Sequence, residues 1–148
     1  MTRYGVDLRT GEMFETQRRT LLESDIAWFA EWSWDTNPVH TDAVSAAAGR
    51  YGSPIAHGML GLSVTMGLIS RLGVFEGSSV AMLGVEDWRF LRPLRAGDTV
   101  WVELEIVSVR QASDASTTVV DRRASLLTAD GVAQQGRLPL LMSTHPPS

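Results

Sequence analysis

Between Gly58 and Leu72 the sequence reads GMLGLSVTMGLISRL, apolar on nearly every side and relieved by the small residues Gly61, Ser63 and Gly67. A helix with no polar face has to be surrounded by protein. The run is too short and too interrupted to span a bilayer. Its cover must come from elsewhere in the chain, and almost everything after it reads as β-strand.

In DTVWVELEIVSVR, Val100, Val102, Leu104 and Ile106 alternate with Trp101, Glu103 and Glu105, the period of a half-exposed strand. Residues 79–92, 116–129 and 131–142 are expected to form three more, with Asp130-Gly131 as a hairpin turn. Residues 12–21 predict a first strand. A helix is expected from an N-cap at Ser24, with Asp25 in its first turn, to about Trp34, and Trp28, Phe29 and Trp32 would share its apolar face. A second short helix through AVSAAAG would be capped by Thr41 or Asp42 and ended by Gly49. The order predicts an α+β fold: one antiparallel sheet curled around one buried helix. Neither a repeat nor a linker interrupts it. One domain over residues 1–142 with a loose tail at 143–148 is expected.

The balance of 44% hydrophobic and 20% charged residues suits a globular core. With a net charge of −4 and scattered arginines, no basic stripe offers itself to nucleic acid. The absence of cysteine removes disulfides, thiolate metal sites and cysteine nucleophiles. The opening MTRYGVDLRTGEMFE has no apolar core, and a cytoplasmic protein without a membrane partner is expected.

Chemistry concentrates in WSWDTNPVHTD, residues 32–42. Pro38 pushes Asn37 into an extended conformation, so the first helix should stop near Asp35 and the next start just after His40. Asp35 would then lie at a helix C-terminus and His40 at a helix N-terminus, each at the end whose dipole opposes its charge. Two local rules broken together point to a site. A turn can aim both side chains at one water molecule, which a carboxylate and an imidazole can deprotonate and reprotonate. The same residues also suit an ordinary turn with a capping aspartate and a surface histidine. In IAHGML, Gly58 opens the buried helix, where a bare backbone N–H can receive an oxyanion. His57 before it is expected to be structural rather than catalytic. His40, Asp42 and His57 have metal-ligand atoms at loose spacing, and no metal or cofactor is expected.

DTNPVHTD, SPIAHGML and FLRPLRAGDTV, in that order, resemble the MaoC-like family of (R)-specific enoyl-CoA hydratases and dehydratases. The resemblance implies a hotdog fold and a homodimer whose sheets join edge to edge. It implies Asp35 and His40 as the catalytic pair, Gly58 as the oxyanion contact, and reversible hydration of a trans-2-enoyl thioester to a (3R)-hydroxyacyl thioester. The acyl group would be carried by coenzyme A or an acyl carrier protein, with Arg89, Arg92 and Arg95 as candidate contacts to the carrier arm. Trp34, Asn37, His57 and Met66 are candidate substrate neighbours. Two of these depart from the family: Met66 replaces a common hydroxyl residue, and Trp34 replaces a glycine; with Trp28 and Trp32 it is expected to pack in the core, the alternative being that Trp34 narrows the acyl pocket. A hotdog thioesterase and a non-catalytic acyl-thioester binder remain alternatives. GLSVT around Ser63 lacks the second glycine of a nucleophile elbow.

Overall fold

The computed structural model describes residues 1–147. A 3-10 turn at Gly5–Asp7 precedes two short strands, β1 (Met13–Glu15) and β2 (Arg19–Thr20). Helices α1 (Glu23–Ser33), α2 (Pro38–Thr41) and α3 (Ala43–Ala48) lead to the central helix α4 (Gly58–Ser70). Then come β3 (Ser79–Met82), β4 (Glu86–Phe90), β5 (Thr99–Gln111), β6 (Thr117–Thr128), β7 (Gly131–Arg137) and β8 (Leu140–Ser143). The strands pair antiparallel in the order β1-β5-β6-β7-β4. β2 lies beside β1 on β5, and β8 continues along β6 to hold β3. This is the α+β hotdog arrangement, a sheet wrapped on a helix.

The inward residues of β5 (Val100, Val102, Leu104 and Ile106) are fully buried, as their alternation predicts. They share a core with Leu60, Leu62, Val64, Leu68 and Ile69 of α4. Gly61 has no room for a side chain, because the Gln134 carboxamide from β7 occupies the place a Cβ would take. The buried Thr65 hydroxyl donates back to the Gly61 carbonyl at 2.9 Å, so it costs the core no unpaired polar group.

Three expected strands are each broken in two. Residues 12–21 stay beside β5, where the Thr16 N–H donates to Val102, but the ladder lapses at Gln17 and Arg18. The run 131–142 breaks at Leu138-Pro139, where proline has no N–H to give. The run 79–92 breaks opposite it, with Leu83 N–H donating to the Pro139 carbonyl. β7 and β8 are thus two halves of one bent strand, and so are β3 and β4. The α1 cap also differs: Leu22 takes the position expected for Ser24, and its N–H donates to the Asp25 carboxylate at 2.9 Å. Trp28 and Trp32 do not join the core. They stack on each other outside it, centroids 5.9 Å apart, while Ile26 and Ala30 are buried and Phe29 packs partly against the core. Each indole shields one face of the other.

α4 is covered on the sheet side, yet Met59, Ser63, Gly67 and Ser70 stay exposed along one stripe, so this chain alone does not enclose the helix. The expected tail at 143–148 starts later than its composition suggests. Ser143 N–H donates to Ser78, and the buried Thr144 hydroxyl pairs with that of Thr118 at 2.9 Å. Residues 145–147 are exposed, and Ser148 lies outside the described residues. No helix among the described residues is long and apolar enough to cross a membrane.

Candidate active site

Trp34 ends α1 in the left-handed conformation, φ 63°, and turns the chain outward. Asp35 follows, its carboxylate accepting weakly from Asn37 N–H at 3.4 Å. Asn37 caps α2 by accepting from Val39 N–H at 3.1 Å, so its carbonyl oxygen serves the turn rather than a substrate. Pro38 fills the first position of α2, where a missing N–H costs nothing. His40 therefore lies inside a one-turn helix, not ahead of the next one as its spacing suggests. Asp42 caps α3, its carboxylate accepting from Val44 and Ser45 N–H at 3.0 and 2.9 Å. That removes Asp42 from the metal set considered above.

The corner brings three side chains together. A carboxylate oxygen of Asp35 and one ring nitrogen each of His40 and His57 lie within 4.8 Å of one another. The imidazoles of His40 and His57 stack at 3.8 Å with 25° between their planes. His40 Nδ1 lies 2.7 Å from the Ile55 carbonyl oxygen, and His57 Nε2 lies 2.8 Å from that of Asp35. A carbonyl can only accept, so both nitrogens carry protons. In the neutral tautomer His40 Nε2 then holds a lone pair, the form of a general base.

His57 is 3% exposed, and Phe29 of α1 packs on its other side with centroids 5.0 Å apart. Its bond to the Asp35 carbonyl ties the start of α4 to the Asp35–His40 corner, as a structural histidine would. It therefore positions Asp35 from behind and presents no face to a substrate.

Gly58 is the first residue of α4, and its N–H precedes any intrahelical acceptor. A Cβ here would meet the Phe90 ring at 2.7 Å, so the missing side chain also admits that ring. The Gly58 carbonyl accepts from Gln134 Nε2 at 3.0 Å, and Gln134 Oε1 accepts from Trp88 Nε1 at 3.1 Å. Gln134 and Phe90 carry no sequence signal, because each reads as an ordinary strand residue. A groove of about 580 Å³ opens at Gly58, bordered by Tyr51, Met59, Phe90, Leu91 and Arg92. Of the three candidate arginines, Arg95 is committed to the loop at Tyr51 and Ser53, and Arg92 borders this groove. Met66 is half-buried two turns further along α4. Trp34 is 89% exposed and borders none of the principal grooves, so it does not narrow an acyl pocket within this chain.

Residues 7–127 match the family described as MaoC like domain. Protein MaoC of Klebsiella aerogenes is 36% identical over 102 residues, 69% of this chain but only 30% of that protein. The (R)-specific enoyl-CoA hydratase of Rhodospirillum rubrum is 34% identical over 107 residues, 72% of this chain and 71% of that enzyme. Among solved structures, the monoamine oxidase regulatory protein from Archaeoglobus fulgius superposes with a TM-score of 0.91 at 31% identity, covering 99% of this chain and 98% of that one.

Proposed function

The chain belongs to the family of MaoC-like domains, and from that premise we propose that it is a hydro-lyase that reversibly adds water to a trans-2-enoyl thioester, giving a (3R)-hydroxyacyl thioester. The observation that carries the reading is the His40 tautomer beside a carboxylate: Nδ1–H is held by Ile55, which leaves Nε2 free as a base, and the His40 ring lies with the Asp35 carboxylate in one cluster. Neither a sensor nor a passive acyl carrier needs such a pair.

A water between Asp35 and His40 loses a proton to the pair as its oxygen bonds to the β-carbon. Charge moves onto the thioester oxygen, where the Gly58 N–H at the positive end of α4 stabilises it. The proton returns to the α-carbon, so water is added with nothing left over. Dehydration runs the same steps backward. The double bond accounts for the acid–base pair, and the thioester for the bare amide at Gly58. Coenzyme A and an acyl carrier protein present the same phosphopantetheine arm, and Arg92 is placed to meet it.

The test is a panel of enoyl, 3-hydroxyacyl and saturated acyl thioesters. Loss of the conjugated-enoyl absorbance on hydration, slowed about 10²–10⁴-fold by His40→Gln, is expected. Free thiol released from the saturated thioesters would instead identify a thioesterase. Tight binding without turnover would identify a binder.

The site is open on one side, and an apolar band of Met59, Val80, Met82, Leu83, Val85, Phe90 and Leu91 is exposed beside it. Among the described residues β3 pairs only with β8, which leaves its other edge unpaired there. A second copy pairing at that edge would cover the band and close the site, in keeping with the homodimer that the family resemblance implies. Light scattering should give twice the chain's mass, and Val80→Lys should halve it.

A further inference from the structure

Arg122 plays no part in the chemistry above, yet it is the largest fully buried side chain of the fold. It points inward from β6 at 2% exposure, in a row otherwise made of Val120, Ala124 and Leu126. Its Nε donates to the Leu138 carbonyl at 2.9 Å, and its guanidinium carbon lies 4.9 Å from the Phe75 ring centroid. Among the described residues Nη2 has no hydrogen-bond partner at all. Burial pulls its pKa down to about 10, so it stays charged at neutral pH without a counter-ion. A buried charge lacking a partner is costly, and a fold that keeps one has an occupant for it.

The guanidinium lines a groove of about 680 Å³ with Met66, Ile69, Phe75, Met82 and Leu140. Glu76 stands exposed at its rim. The groove meets α4 beyond its Gly58 end, at Met66 and Ile69. These two stand eight and eleven residues after Gly58, about 12 and 16 Å along the axis. An acyl chain whose thioester oxygen rests on Gly58 and whose tail reaches this groove passes Met66, Ile69 and Phe75 and ends at a cation.

We propose that Arg122 binds a terminal carboxylate on the acyl chain, so that the substrates are ω-carboxyacyl thioesters of medium length. The inference rests on the thioester reading and narrows its substrate class. Arginine suits the role because its planar fork can hold both carboxylate oxygens at once. The apolar trough discriminates by length, and the Arg122 fork discriminates by charge.

The test uses inert, saturated ligands, so it does not depend on turnover. Adipyl-, suberyl- and sebacyl-CoA are titrated calorimetrically beside hexanoyl-, octanoyl- and decanoyl-CoA. At least one dicarboxylic chain is expected to bind about tenfold or more tighter than its neutral partner, as a charge-assisted bond in a dry site supports. Arg122→Met, similar in length and uncharged, should erase that preference while keeping affinity for the neutral chain. Arg122→Lys, which keeps the charge without the fork, should retain part of it and guards against misfolding of the methionine variant. Equal affinities in the parent, a preference that survives Arg122→Met, or no binding of any chain overturns the proposal. If enoyl thioesters are hydrated without such a preference, only this inference fails. If the preference appears without hydration, the lyase reading fails instead.

Discussion

Asp35→Asn is expected to slow hydration of an enoyl thioester by about 10²–10⁴-fold and to leave the melting temperature almost unchanged. The carboxylate is exposed, and its recorded hydrogen bond within the chain is the long one to Asn37 N–H, which an amide oxygen can also accept. The fold therefore loses little. The reaction loses the negative group beside the water and half of the pair that carries its proton. Combining it with His40→Gln should cost much less than the product of the two single losses, because residues that act as a unit are not additive. The measurement is the decay of conjugated-enoyl absorbance under saturating substrate, with a thermal melt on the same samples. Turnover equal to the parent's would remove Asp35 from the mechanism.

Gly136→Ala is expected to be the most damaging small substitution away from the corner. On β7 a Cβ at this position would stand 2.8 Å from the Trp88 Cα and 3.0 Å from the Glu86 carbonyl oxygen. Both are backbone atoms, so no side chain can rotate away and the β4–β7 ladder must open. A cost of about 1–3 kcal/mol follows from overpacking of this kind, or a melting temperature lower by about 4–10 °C for a chain of this size. The damage should travel. Trp88 holds Gln134, and Gln134 holds the Gly58 carbonyl at the head of α4. A shifted Trp88 loosens the Gly58 amide proposed to hold the oxyanion, so kcat should fall in the fraction that remains folded. Thermal melts and turnover at a temperature well below the transition separate the two effects.

Much of this was legible in the chain before any coordinates. The apolar run from Gly58 and the alternation in β5 define a helix and its wrapping, because burial imposes periodicity directly. Asp35 and His40 could be paired because Pro38 rules out a shared helix face. What sequence could not place were features that depend on distant partners. The break at Leu83–Val85 exists because Pro139 interrupts the neighbouring strand. Trp28 and Trp32 have the spacing of a core face and lie outside it, since their helix presents Ile26, Phe29 and Ala30 inward. Trp34 looked like a pocket wall until its left-handed backbone turned it to solvent. Gln134 and Arg122 are single polar letters in strands, and only the opposing elements reveal what they touch.

The crease at Leu138-Pro139 also sets the order in which the molecule can be completed. Among the described residues β3 pairs with β8 alone, some sixty residues later, and the first third of β6 waits for the same segment. Contacts that remote in sequence make folding slow. A ribosome must release the segment through β8 before the sheet can close over its helix, and a nascent chain halted at the proline would leave two strand edges unpaired, ready for aggregation.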